Sequence, residues 1–318
     1  MRVIDHLNDC KNPTVSIEII PPKRGANIAQ FHRAVESVKP FNPPFINVTS
    51  HAAETVWEEG NDGSFRKKVM RKSPGTFGLC AVIKYKYQIE PVPHILCGGF
   101  TREETEDALI ELNYLGIENI LAIRGDKQNP REIPSDRSEN KFASDLVEQV
   151  THMNQGQYLS KGMVAAPTNF CIGVSYYPEK HFEAPNLDFD LNVLKQKQAL
   201  GAHYAVSQMF YDNEKFVAFK KKAESEGVTL PLIPGLKIMT SKRQLKVLPS
   251  IFHIDIPQEL CERMLAAKSR EEEIQVGVDW AYKQALDLLD QGVPYLHFYI
   301  MQKTKPFLMM MEKLKKKL

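Results

Sequence analysis

The sequence contains few cysteines and no long apolar run. Its five cysteines are scattered and form no CxxC pair, so neither a disulfide framework nor a zinc site is indicated. No stretch approaches the roughly 20 apolar residues that a membrane span needs, and the opening residues MRVIDHLNDC lack the apolar core of a signal peptide. We therefore expect a reduced, cytoplasmic setting.

A strong charge of one sign and the common nucleotide motifs are also missing. The formal net charge is +2 over 318 residues, which gives no reason to expect a nucleic-acid or membrane partner. Neither the GxGxxG fingerprint nor a P-loop pattern occurs, and this disfavours a doubly wound dinucleotide-binding sheet. HxH and HExxH patterns are absent as well, so we predict no metal site.

Eight runs rich in apolar and β-branched residues recur along the chain, and helix-like segments separate them. One helix start is explicit, because Thr101 and Glu104 form a capping-box pattern. Alternating strands and helices without a long linker predict one (β/α)8 TIM-type barrel domain over residues 1–318. The predicted strands are residues 14–20, 45–50, 92–97, 119–126, 171–177, 204–210, 230–238 and 295–301.

Polar residues stand where the predicted strands end, and in such barrels chemistry is done at the carboxyl ends. They suit a polar, partly anionic organic ligand and proton transfer. Glu18 could instead form a structural salt bridge, and His94 could be a neutral histidine satisfied by the backbone. The residues alone thus predict a barrel enzyme with an acid and a polar ligand. The strand-end set is Glu18, Thr49, His94, Arg124, Asp126, Tyr177, His181, Gln208, Lys237, and His297 or Lys303.

Short motifs at these positions resemble the methylenetetrahydrofolate reductase family. They recur in the family's order from residue 14 to about residue 303, which covers nearly the whole chain. The resemblance is to the compact bacterial form, without the regulatory domain of the animal enzymes. The motifs are SIEIIPP (16–22), PH (93–94), LAIRGD (121–126), YPEKH (177–181), QMF (208–210), IPG (233–235) and HFY (297–299).

The resemblance implies a (β/α)8 barrel that binds FAD without a Rossmann motif. It implies a ping-pong reaction in which NADH or NADPH reduces the flavin and leaves. The reaction then converts 5,10-methylenetetrahydrofolate to 5-methyltetrahydrofolate and feeds methionine synthesis. The expected partners are therefore small molecules, together with other copies of the chain, because family members usually self-associate.

The resemblance also implies roles for single residues. Glu18 matches the family's general acid, and we expect burial to raise its pKa toward that task. Asp126 matches the catalytic residue that holds the pterin and lies close to the flavin, where its charge can favour the iminium cation of the substrate and tune the flavin. Gln208 matches a contact of both folate and nicotinamide, while Gln244 and Lys303 match folate contacts. The implied FAD contacts are Thr49, Ser50, Ala52, His94, Arg124, Gly125, Asp126, Ala143, Tyr177, His181, Ala184, Asp190 and Lys197.

Several positions depart from the family pattern. Gln196 replaces an arginine expected to contact a phosphate, and Val193 replaces an asparagine. Leu248 replaces an aromatic residue that stacks on nucleotide or folate, and Lys303 replaces an arginine with loss of its planar fork. The basic residues 65–72 have no clear counterpart. We interpret them as an exposed helix face, and the alternative is a contact for a nucleotide or for polyglutamate.

Three alternatives stay open. Another flavin barrel oxidoreductase, of the proline dehydrogenase type, would oxidise an amino acid and show no folate turnover. A non-redox folate-binding one-carbon transferase would purify colourless. A binding protein without catalysis would not depend on Glu18.

Overall fold

Nine parallel strand segments form the central sheet of this computed structural model, which describes residues 1–10, 12–125, 132–160, 162 and 165–315. Their spatial order is β10-β11-β1-β2-β5-β6-β7-β8-β9. The segments are β1 Thr14–Ile19, β2 Phe45–Val48, β5 Glu90–Leu96, β6 Asn119–Ile123, β7 Cys171–Tyr176, β8 Tyr204–Ser207, β9 Leu232–Ile233, β10 Gly235–Leu236 and β11 Tyr295–Met301.

The two outermost segments, β9 and β10, are consecutive in the chain and are separated by Pro234. β9 pairs with β8, whereas β10 pairs with β11, so the sheet returns on itself as a barrel. Proline cannot donate to a ladder, but its carbonyl accepts a hydrogen bond from the backbone N–H of His297 at 3.0 Å. The split segment is the seventh predicted strand, and the predicted (β/α)8 fold class is confirmed.

Helices follow most strands and pack around the barrel. The predicted cap of α4 is confirmed, since Glu104 N–H donates to Thr101 Oγ1 at 3.1 Å. No helix in the described part of the chain is long and apolar enough to cross a membrane. The helices are α1 Val3–Asn8, α2 Ala29–Val38, α3 Thr76–Val82, α4 Arg102–Tyr114, α5 Ala143–Asn154, α6 Leu187–Ala199, α7 Asn213–Ser225, α8 Gln244–Phe252, α9 Gln258–Ala266, α10 Arg270–Asp290 and α11 Thr304–Leu314.

The inner face of the barrel is apolar toward its amino-terminal end. A buried cluster there contains Phe45, Leu121 and Tyr204, and α1 adds Val3 and Leu7 to it. The backbone N–H of Val3 also donates to Asn119 Oδ1 at 2.7 Å. Helix α1 was not predicted from the sequence, and it closes the amino-terminal end of the barrel. Only the carboxyl end is left for a polar site.

The basic segment after β2 is not helical. Strands β3 Glu54–Glu59 and β4 Phe65–Met70 pair as an antiparallel hairpin. Gly63, with φ +75°, supplies the left-handed residue of its turn. The prediction of an exposed helix face was therefore wrong in its secondary structure, although exposure was correct: Trp57 and Phe65 are each 64% exposed. Two ion pairs join the sides of the hairpin. Lys68 of β4 pairs with Glu58 of β3, and Lys72, just after β4, pairs with Glu54.

Candidate active site at the carboxyl end of the barrel

A buried acid and a buried histidine meet inside the carboxyl half of the barrel. Glu18 is the last residue of β1 whose side chain points into the barrel, and it is 7% exposed. His94 of β5 is 5% exposed. Oε2 of Glu18 lies 3.2 Å from Nε2 of His94, and the contact does not complete a hydrogen bond. The resemblance assigned His94 to FAD, but among the described residues it pairs with the Glu18 carboxylate.

The surroundings of Glu18 set the charge of its carboxyl group. Burial acts to raise its pKa, but His94 chiefly, and His297 and Lys237 in addition, hold the pKa of Glu18 below its usual value. Burial thus acts on this pKa in the expected direction, but the neighbouring positive charge outweighs the loss of solvation and the net pKa is lowered.

A second histidine lies deeper in the barrel. Nδ1 of His297 is 2.8 Å from Oγ of Ser16, and burial lowers the pKa of His297 to about 4. This imidazole is thus neutral at pH 7. Asn47, the register partner of Glu18 on β2, is also fully buried. Its amide and Nε2 of His297 have no hydrogen-bond partner among the described residues, which marks this level of the barrel as polar.

A cation suited to phosphate lies beyond β7. Lys197 of α6 is 9% exposed, and its Nζ donates to the carbonyl of Ser175 at 2.8 Å. Burial lowers the pKa of Lys197 to about 8, and the charge of Asp190 opposes that shift. The Asp190 carboxylate accepts the backbone N–H of His181 at 2.5 Å, and burial raises the pKa of Asp190. Asp190, Lys197 and His181, all predicted cofactor contacts, are therefore brought together.

A second cation follows β6. Nη2 of Arg124 lies 2.6 Å from Oε2 of Glu183, and Glu183 N–H donates to Nδ1 of His181 at 3.2 Å. The His181 ring meets the edge of Tyr177, with centroids 4.6 Å apart. Gly125 has φ +90°, a left-handed conformation that glycine adopts without strain. Glu183 was not among the site residues predicted from the sequence, although the adjacent YPEKH motif (177–181) could have indicated it.

The remaining predicted cofactor contacts lie on neighbouring loops. Thr49 follows β2, its carbonyl accepts from Thr76 Oγ1 at 2.9 Å, and its own Oγ1 is buried without a partner among the described residues. Ser50 and Ala52 follow Thr49 along the same loop. Ala143 begins α5 and Ala184 is buried behind the Lys180 side chain, which donates to its carbonyl at 2.7 Å. Asp126 lies outside the described residues, so its predicted roles stay predictions.

These contacts fit a phosphate-bearing cofactor. Arg124 and Lys197 supply charged donors for phosphate oxygens, and the buried Thr49 hydroxyl offers an unused hydrogen-bonding group. Gln196, which stands where an arginine was expected, is exposed. It therefore lies on a different face of α6 from buried Lys197. Within the part of the chain that the structure describes, no three His, Cys, Asp or Glu side chains cluster as metal ligands would.

A cavity of about 220 Å³ lies at the carboxyl end of β11. Two predicted folate contacts, Gln244 and Lys303, line it together with Lys237 and Tyr299. Tyr299 is the register partner of Glu18 on β11, so the cavity reaches the strand next to the acid, although Glu18 itself does not line it. The carboxamide of Gln244 accepts the backbone N–H of Thr240 at 2.6 Å, which holds the side chain at the start of α8.

Two further positions were expected to contact ligands. Gln208 follows β8 and does not line this cavity; its Oε1 accepts the backbone N–H of Met209 at 2.9 Å. Leu248 is 4% exposed and packs in a cluster with Met209 and Tyr211. Leu248 is thus a core residue, and stacking against a ligand ring has to come from another side chain.

The fold and the strand-end groups define a TIM-type barrel with a buried acid at its mouth, the usual place of an active site in this class. A sequence model described as methylenetetrahydrofolate reductase matches residues 2–315. The chain belongs to the methylenetetrahydrofolate reductase family.

Curated relatives agree with this assignment. Methylenetetrahydrofolate reductase 1 of Schizosaccharomyces pombe is 28% identical over 95% of the chain, and the match spans 46% of that protein. The 5,10-methylenetetrahydrofolate reductase of Escherichia coli is 26% identical over 92% of the chain and 87% of its own length. The chain thus spans about half the length of the fungal relative and most of the bacterial one.

A solved structure supports the fold independently. It is that of a Clostridium thermocellum protein described as binding two copies of 5-methyl-5,6,7,8-tetrahydrofolic acid. The two folds superpose with a TM-score of 0.59 over 99% of each chain at 13% identity. At that identity the likeness is evidence for the barrel alone.

Proposed function

We propose that this protein reduces 5,10-methylenetetrahydrofolate to 5-methyltetrahydrofolate, with FAD as cofactor and NADH or NADPH as electron donor. The observation that carries the proposal is the position of Glu18, a buried acid whose register partner Tyr299 lines a cavity together with Gln244 and Lys303, in a member of this family. In the overall reaction one hydride and one proton join the substrate, and the nicotinamide is oxidised.

Glu18 supplies the proton. The five-membered ring of the substrate opens when its departing nitrogen is protonated, and an iminium cation at the methylene carbon results. A hydride added to that carbon completes the methyl group. Glu18 would donate the first proton because it is buried, which excludes water as a competing donor, and because its register partner Tyr299 lines the cavity. Since the pKa of Glu18 lies below its usual value, the carboxylate would take up this proton again in each turnover.

FAD, when bound, supplies a two-electron carrier between nicotinamide and folate. Arg124 and Lys197 would hold its phosphates through charge-assisted hydrogen bonds. Asp190 positions His181 through the 2.5 Å bond to its backbone N–H, and Tyr177 packs against the His181 ring. The same two cations are tied to Glu183 and to the Ser175 carbonyl in the structure, so phosphate binding would exchange these contacts.

Gln244 and Lys303 would hold the folate. The Lys303 ammonium attracts a carboxylate from any direction, without the paired donors of an arginine. Gln208 and Asp126 would complete the contacts, as the resemblance implies. A role in methionine synthesis, a cytoplasmic location and self-association stay predictions.

The experiment is an anaerobic absorption spectrum of the purified protein, taken alone, after NADH or NADPH, and after 5,10-methylenetetrahydrofolate. We expect a flavin band that bleaches with the nucleotide and returns with the folate. Bleaching of the flavin by an amino acid, which is oxidised to its imine, with no response to folate, would favour the proline dehydrogenase type. A protein that stays colourless after added FAD would overturn the proposal in favour of a non-redox folate protein.

A further inference from the structure

Lys237 is a partly buried cation with no part in the function proposed above. It follows β10, where Gly235 and Leu236 pair in register with His297 and Phe298. Its Nζ donates to the carbonyl of the next residue of β11, Tyr299, at 3.4 Å. Since Tyr299 is the register partner of Glu18, the Lys237 ammonium lies one strand from Glu18 at the same level of the barrel.

The ammonium group is weakly compensated. An ammonium has three donors, and within the described residues the Tyr299 carbonyl is its one hydrogen-bond acceptor. Lys237 lines the cavity with a second cation, Lys303. Burial lowers the pKa of Lys237, the charge of Glu18 opposes that shift, and Lys303 adds to it. Glu18 is thus the anion whose charge stabilises that of Lys237.

Four described groups face Glu18 from the surrounding strands. His94 lies 3.2 Å away on β5. On β11, His297 is neutral at pH 7 because its pKa is about 4, and the Tyr299 hydroxyl donates to the carbonyl of Ser207 at 2.5 Å. Lys237 is the fourth. Its positive charge, unlike that of the two histidines, does not require protonation of an imidazole ring.

We propose that Lys237 is a positioning residue of this site: its ammonium group, bonded to the carbonyl of the residue that pairs with Glu18, favours the ionised form of the Glu18 carboxyl group. It thereby sets the pH range in which Glu18 holds a proton. The consequence for folate reduction rests on the proposed function, whereas the effect on the charge of Glu18 does not.

The direct test is an infrared titration of the carboxylic-acid band of Glu18, identified by its loss in Glu18→Gln. Lys237→Met and Lys237→Gln remove the charge, Lys237→Arg keeps it, and Lys220→Met on α7 is the control. We expect the midpoint to move upward by roughly one pH unit in the two neutral variants, as loss of a nearby opposite charge requires. The arginine and control variants should stay near the wild-type midpoint. Coincident titrations of wild type and a folded neutral variant, or an equal shift in Lys237→Arg, would overturn the proposal.

The second readout is the pH profile of folate reduction by the reduced enzyme. Because the protonated form of Glu18 is the active one, its alkaline limb should move upward by the same amount in the neutral variants. Flavin reduction by the nucleotide should keep its profile. An unmoved alkaline limb with a raised KM would overturn the role of Lys237 and leave it as a substrate contact. A wild-type protein that reduces no folate overturns the proposed function instead, while the infrared titration still decides the effect of Lys237.

Discussion

Glu18 and His94 meet across an intervening strand. Oε2 of Glu18 lies 3.2 Å from Nε2 of His94, although β2 separates β1 from β5 in the sheet. Such a contact is possible because both side chains point into the barrel, where strand ends converge. The pair joins the proposed general acid to a predicted cofactor contact.

The first prediction concerns Glu18→Gln. This variant should retain FAD and its reduction by nicotinamide, but lose folate reduction by about 10²- to 10⁴-fold, the usual contribution of a general acid. Stopped-flow measurement of each half-reaction checks this. Glu224→Gln, on an exposed ion pair with Lys220, is the control and should leave both rates unchanged. Folate turnover retained in Glu18→Gln would remove Glu18 as the acid.

The second prediction compares two lysines of α6. Lys197 is buried at the predicted phosphate site, whereas Lys195 forms an exposed pair with Glu226. Lys197→Met should weaken FAD binding roughly 10- to 100-fold, because a charge-assisted hydrogen bond contributes about 1.5–3 kcal/mol. Lys195→Met should leave FAD affinity unchanged. Equal affinities of the two variants in a flavin titration would show that Lys197 has no part in cofactor binding.

The third prediction concerns stability at acid pH. His297 has a pKa of about 4 in the folded chain, against about 6.5 when unfolded. The unfolded chain therefore binds the extra proton first, and the free energy of unfolding should fall as pH drops from about 6.5 toward 4. The loss from this residue is about 3 kcal/mol at most. Urea denaturation across this range should show a shallower pH dependence in His297→Asn. His152→Asn, at an exposed position of α5, should retain the wild-type slope; the same slope in both variants would contradict the prediction.

The fourth prediction uses two helical glycines. A Cβ at Gly277 of α10 would overlap the backbone carbonyl of Met239, whereas one at Gly78 of α3 would meet nothing within 4 Å. Gly277→Ala should destabilise the protein by about 1–3 kcal/mol or more, because backbone has to move. Gly78→Ala should stabilise it by roughly 0.5–1 kcal/mol through helix propensity. Thermal unfolding of both variants decides, and a neutral Gly277→Ala would show that α10 shifts without cost.

Much of the barrel follows from local sequence. Runs such as NILAI at β6 are apolar on both faces and suit only a strand covered by helices. The split of the seventh strand was not predicted, since the position of Pro234 marks a break but does not say that its two sides pair with different neighbours. The hairpin was missed because residues 65–72 are charged, and charge alone does not distinguish an exposed strand from an exposed helix.

The sequence by itself determined the family, the order of strands and the strand-end positions of the polar residues, because these depend on motifs and on periodicity. Only the tertiary structure decided which of those residues meet. Glu18 beside His94 and Arg124 beside Glu183 are contacts between residues distant in the chain. Lys237 likewise bonds the carbonyl of Tyr299, the register partner of Glu18. Closure of the barrel sets the distances between these groups. The groups around Glu18 lower its pKa, whereas burial alone would raise it.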